Sequence, residues 1–122
     1  MIDLELLFDE NSYLSRYGDV ADAVFDGAIS SALDHFESLG KGEKRSPSAF
    51  YDESFYLATN FDVANALEEG ILESGIEHFL EHGQFEGRDP ITDFSGRRYL
   101  AQNPGVAAAV ESGEMTAYGH FL

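Results

Sequence analysis

The side chains of this chain with the most chemical potential recur at fixed places. His35, His78 and His120 each stand directly before a phenylalanine, Phe36, Phe79 or Phe121. Tyr13, Tyr56 and Tyr99 recur in step with them, and Arg45 and Arg88 each follow a glutamate, Glu43 or Glu86, two positions on. His78 and His82 are four residues apart, the spacing at which two imidazoles on one helix face can share a metal ion. His82 has no counterpart elsewhere in the chain, and no further ligand is identifiable. The recurring histidine is therefore expected to pack at a boundary between units, with one ring nitrogen bonded to a carbonyl or carboxylate. Neither a metal nor a cofactor is expected. An arginine at a fixed place in a chain so poor in cations calls for a partner, either helix C-terminal carbonyls or a carboxylate such as Asp19 or Asp62. An anion or sugar-acid contact is its functional alternative. For the tyrosines, core packing with the phenol bonded at a unit boundary stands against a row on a concave surface that stacks on sugars or a partner helix. Tyr13, Tyr56, Tyr99, His35, His78, His120, Arg45 and Arg88 are thus the candidate binding residues.

No catalytic residue emerges. Asp19, Asp22 and Asp26 interleave with Val20, Ala21 and Val24 in helical phase, whereas a calcium loop needs oxygens at alternating positions around a glycine. Those acids, with Glu68 and Glu69, read as solvated helix faces. With 23 acids in the chain, choosing two as general acid and base would be arbitrary without a pocket to hold them. No glycine-rich phosphate loop, nucleophile elbow or HExxH motif occurs. An enzyme is not expected. A small enzyme or metal-binding protein using the recurring histidines and acids is the remaining alternative.

What positions these residues is repetition. The stretch YLATNFDVANALEEGILESGIEHFLEHGQFEGRDP, from Tyr56 to Pro90, aligns without a gap on the stretch from Tyr13 to Pro47, 43 residues earlier. It aligns again on Tyr99 to Leu122 after one deletion near the end. A period of that length implies stacked helical units. The expectation is an all-α fold: a single helical-repeat domain over 1–122, with three-helix units at about 8–47, 51–90 and 94–122. The last unit is truncated, ending either on a shortened cap or inside something longer. Residues 1–7 read as a lead-in that caps the array.

Within each unit the start and stop signals are local. Asp9, Asp52 and Ser95 are set to cap the first helix, and Asn60 and the Asn103-Pro104 pair to start the second. Gly27, Gly70 and Gly113 stop the second helix as residues with left-handed backbone. Ser31 to Asp34 and Ser74 to Glu77 read as capping boxes opening the third helix. Its buried stripe is expected to include Leu33, Phe36 and Leu39, then Ile76, Phe79 and Leu80. Helices this short are unstable alone, so each depends on its neighbours. The alanine-rich second helix, through Ala21, Ala23, Ala64, Ala66 and Ala107 to Ala109, is expected to be the one packed innermost.

Composition narrows the partners. Hydrophobic residues make up 43% of the 122, with ten phenylalanines and six tyrosines, enough for a core. A net charge of −16 repels nucleic acid, whose binding rests on neutralised phosphates, and disfavours anionic membranes. It suits a protein kept dispersed by its charge, or one in salty or calcium-rich surroundings. Cysteine is absent, which excludes disulfides and thiolate metal sites. The N-terminal MIDLELLFDEN carries acids where a signal peptide carries Lys or Arg, so export by a cleaved leader within this sequence is not expected. No apolar stretch is long enough to span a bilayer.

The phrases YLATNFDVANAL, YLAQNPGVAAAV, SALDHF, SGIEHF and EHGQFEGRDP together resemble a bacterial helical tandem repeat of the form YLxxNPDVAxAV…SALxHF…GxxEGR. That repeat is found as an accessory module in secreted and surface proteins and beside polysaccharide-related glycosyltransferases. The resemblance spans residues 8–122, although Tyr17-Gly18 replaces Asn-Pro in the first unit and the third lacks the closing arginine. It implies a non-catalytic interaction module of a surface- or secretion-associated assembly, contacting protein or polysaccharide. An extracellular or cell-surface place is favoured, with an intracellular adaptor in polysaccharide assembly as the alternative. Homo-oligomers through exposed repeat ends are a further expectation.

Overall fold

The computed structural model describes residues 2–122. Among them the chain is all-helical, and the only β pairing is an isolated bridge between Ser48 and Tyr51. A short lead-in helix, α1 (Leu4–Leu7), is followed by three helix triplets. The first is α2 (Glu10–Arg16), α3 (Gly18–Phe25) and α4 (Ala32–His35); the second is α5 (Glu53–Thr59), α6 (Phe61–Glu68) and α7 (Gly75–His78); the third is α8 (Gly96–Gln102), α9 (Pro104–Glu111) and α10 (Ala117–Phe121). Helices pack on one another within a triplet, and the triplets meet through loops and single side chains.

Local signals set most helix ends. Ser31, Ser74 and Thr116 open α4, α7 and α10 by accepting from the backbone N–H groups of Asp34, Glu77 and Gly119. Gly27, Gly70 and Gly113 stop α3, α6 and α9 at φ of 78°, 77° and 85°. The capping boxes close on one side only: the Glu77 carboxylate does not return to Ser74, and one of its oxygens is buried without a hydrogen bond, 3.9 Å from Lys41 Nζ of the preceding unit.

The third helix of the first two units ends in a π-helical turn, Phe36–Gly40 and Phe79–Gly83. In each turn an N–H reaches five residues back, Lys41 to the Phe36 carbonyl and Gln84 to that of Phe79, both at 2.9 Å. The wider turn shifts the helical phase. Leu39, expected on the buried stripe, is consequently 54% exposed.

The centre of each unit is aromatic. Tyr13 and Phe36 are fully buried and meet edge to face with ring centroids 5.6 Å apart; Tyr56 and Phe79 repeat the pair at 5.5 Å. Burying a side chain of that size contributes about 1.5–3 kcal/mol, so these pairs outweigh anything an alanine can supply. The alanine-rich helices are accordingly outermost, contrary to expectation. Val20 and Val63 are the only buried residues of α3 and α6, and α9 has none.

Each of the first two units closes on itself. The Asp9 N–H donates to the Pro47 carbonyl at 3.2 Å and that of Asp52 to the Pro90 carbonyl at 3.0 Å, so the start and end of a unit lie side by side. The linker also caps the first helix of the next unit. Ser46 Oγ accepts from the Glu53 N–H and Asp89 Oδ1 from that of Gly96, again 43 positions apart. The lead-in docks far along the chain. The Gln84 side chain bonds both backbone groups of Ile2, at 2.9 and 2.8 Å, and accepts from Thr116 Oγ1 of the third unit. The Tyr118 hydroxyl donates to the Phe50 carbonyl at 2.6 Å, joining the third unit to the linker before the second.

Candidate functional site

The recurring polar residues come together inside the units. The Tyr13 hydroxyl meets His35 Nδ1 at 2.8 Å, and His35 Nε2 lies 3.8 Å from Glu43. Glu43 accepts from Arg45 Nε at 3.0 Å, and the Arg45 fork grips both oxygens of Asp19 at 2.9 and 2.7 Å. The second unit repeats the chain of contacts as Tyr56, His78, Glu86, Arg88 and Asp62, with the same hydroxyl-to-imidazole distance of 2.8 Å. In the third unit only its inner end is present, Tyr99 on His120 at 2.6 Å.

This relay runs from the core to the surface and braces all three helices of a unit. α2 supplies the tyrosine, α4 the histidine, the closing loop the glutamate and arginine, and α3 the aspartate. The arginine therefore takes the carboxylate partner its position called for. The histidine lies within its unit rather than at a boundary, and its Nδ1 partner is a phenol instead of a carbonyl. Tyr13 and Tyr56 are fully buried, so their rings form no concave row open to sugars or a partner helix. A ring at the geometric centre of a three-helix unit has no face left over.

The electrostatics follow from depth. Burial pushes the Tyr13 phenol up to about 12 and raises Tyr56 as well. Burial also lowers His78, favouring the neutral imidazole. At the outer end, hydrogen bonds from Arg45 and Arg88 hold Asp19 and Asp62 down at about 2. In the first two units the relay is a cross-brace with phenol and imidazole inside and the arginine–aspartate pair outside. In the third, His120 lines a cleft of about 500 Å³ beside Asn103, Val106 and Met115.

Two departures between units show how the brace tolerates substitution. Asn60 was expected to cap α6, but its side-chain amide turns back to donate to the Tyr56 carbonyl, and its oxygen accepts from Arg88 at 2.9 Å. Asn103 turns back on the Tyr99 carbonyl in the same way. The C-terminal carbonyls of the first helix lack partners, which makes them the better target. In the first unit Tyr17 stands at that position. Arg45 stacks on its ring at 4.8 Å, and the Tyr17 hydroxyl accepts from the Ser46 N–H.

A second polar cluster, unforeseen in the sequence, belongs to the middle unit alone. The Glu53 carboxylate is 1% exposed and accepts from the Tyr51 hydroxyl and from the Gly75 and Ile76 N–H groups at 2.8–3.0 Å. It ties the start of α5 to the start of α7, and burial raises its pKa. A Cβ on Gly75 would lie 2.9 Å from that carboxylate, which is why glycine replaces the alanine found at Ala32 and Ala117. That lone glycine was the available signal.

His78 and His82 lie with ring centroids 5.6 Å apart and planes tilted by 47°. Among the described residues no group of three or more His, Cys, Asp or Glu side chains is placed to hold a metal ion. None of the helices described is long and apolar enough to cross a membrane.

Besides the cleft inside the third unit, concave surface lies between units. A cleft of about 500 Å³ opens where the closing loop of the first unit, at Gly42 and Lys44, faces Leu57, Ala64, Leu67 and Leu72 of the second. One repeat further on, a cleft of about 320 Å³ opens where Phe85 and Gly87 face Leu100 and Val110. Phe85, Gly87, Leu100 and Val110 are the 43-residue counterparts of Gly42, Lys44, Leu57 and Leu67. The clefts are thus one feature made twice. Its sequence signal is the aliphatic pair Leu57 and Leu67 recurring as Leu100 and Val110.

Comparison with protein-family models, curated proteins and solved structures matched this chain to none of them.

Proposed function

We propose that this chain is a non-catalytic interaction module that holds a partner along the line where its successive units meet. The observation that carries this reading is the recurrence of one aliphatic cleft at equivalent places in two unit junctions. Concave apolar surfaces of this kind are the usual binding sites of small domains, and repeat proteins use the surface that stacking creates. The conspicuous polar residues are committed elsewhere: Tyr13, His35, Arg45 and their counterparts in the second unit bond to one another. Contact with a protein or polysaccharide in a bacterial surface- or secretion-associated assembly is what the resemblance of the repeat phrases supports.

The test is retention of surface polysaccharides and peptides on the immobilised chain, compared with a Leu67→Asp, Val110→Asp variant. A partner should be held by the native protein and lost from the variant, while the circular dichroism and melting of the variant stay near native. A partner held equally by both, or a substrate turned over by the native chain, would sink the reading.

A further inference from the structure

Resting on that interaction role, we infer that the cleft between the first and second units takes a cationic amphipathic peptide segment, with aliphatic side chains in the cleft and lysines or arginines at its rim. The floor decides the chemistry of the inserted part. Leu57, Leu67 and Leu72 are aliphatic, and no aromatic side chain lines this cleft, so a sugar ring finds no platform to stack on. A peptide's leucine, isoleucine or valine side chains match such a floor.

The rim decides the charge. Glu68 and Glu73 line the cleft, both are exposed, and neither belongs to an ion pair among the described residues. Lys44 is the one cation in the lining, leaving the rim net acidic on a protein of net charge −16. The second cleft differs. Its Glu86 is already bonded to Arg88, and its lining includes the cation Arg97, so the acidic rim is confined to the first. A second copy of this chain is a poor occupant. Its most exposed apolar side chain, Phe25 at 91%, sits between Asp22 and Asp26 and would bring like charge to the rim. Complementary charge speeds encounter and selects the partner, and it weakens with salt.

The experiment is fluorescence anisotropy of a labelled leucine–lysine amphipathic peptide, with a leucine–glutamate peptide of equal length as its counterpart. The lysine peptide should bind, less tightly as salt rises, and the glutamate peptide should not. Glu68→Lys with Glu73→Lys should weaken binding about tenfold, the loss expected from central rim contacts. Asp22→Lys with Asp26→Lys changes net charge equally, away from the cleft, and should change binding little. Equal loss in both pairs would reduce the effect to overall charge and overturn the inference. Self-association abolished by Leu67→Asp would overturn it in favour of a second copy. An anionic peptide or a polysaccharide bound in a Leu67-dependent manner would overturn the cationic partner while leaving the interaction role standing. Cleft-independent binding by every probe removes both.

Discussion

Tyr56 and Gly83 share one volume: the phenol oxygen of the tyrosine occupies the space that a Cβ on the glycine would require. Tyr13 and Gly40 repeat the relationship one unit earlier. The π-helical turn brings the glycine backbone over the hydroxyl, and the hydroxyl in turn is fixed by His78 at 2.8 Å. Tyrosine, histidine, phenylalanine and glycine of a unit therefore form one packed object.

Gly83→Ala should destabilise the protein by about 1–3 kcal/mol, because a methyl group is forced into a filled core. Tyr56→Phe removes the obstructing oxygen, so the double variant should recover part of that loss. The measurement is a double-mutant cycle from urea unfolding followed by circular dichroism. Strictly additive losses would show that the two residues do not compete for the same space.

Lys44 is the sole non-glycine residue with positive φ among those described, at 63°, and its counterpart in the next unit is Gly87 at 75°. A side chain in left-handed backbone costs about 1–2 kcal/mol, partly offset by the greater freedom glycine has when unfolded. Lys44→Gly should therefore raise stability by about 0.5–1 kcal/mol, read as a higher urea midpoint at unchanged slope. A lower midpoint would mean that the lysine makes a contact worth more than its strain.

The arginine braces should register in the pH dependence of stability. Asp19 and Asp62 are held at about 2 against an ordinary 3.8, so the folded state binds fewer protons than the unfolded state between those values. The stability they contribute is full above the ordinary range and is lost as pH falls through that window. Glu53 acts oppositely. Its pKa is raised by burial, so its effect is a decline in stability as pH rises above the ordinary glutamate range. An Asp19→Asn, Asp62→Asn variant should be less stable than the native protein at neutral pH, and the gap should narrow on acidification towards pH 2. A gap independent of pH would show that the aspartates act by shape alone.

Sequence by itself determined whatever depends on a few neighbouring residues or on exact repetition. Ser31 and Ser74 start their helices because a hydroxyl bonds an amide three residues on, and Gly27, Gly70 and Gly113 stop theirs because glycine tolerates left-handed backbone. The all-helical fold followed from the same signals, and the pairing of Arg45 with an acid such as Asp19 was legible because cations are scarce. Tertiary structure alone decided which helix is central and where the concave surface lies. The alanine helices looked like the packed ones until the volumes of Tyr13, Phe36, Tyr56 and Phe79 filled the middle. The side chain of Asn60, the burial of Glu53 and the phase of Leu39 each turned on a contact or a turn geometry that no short window contains. The two repeated clefts arise where a closing loop meets the helices of the next unit. Hydrogen bonds of short reach are written in local sequence, whereas competition for space among large side chains is settled when the chain closes on itself.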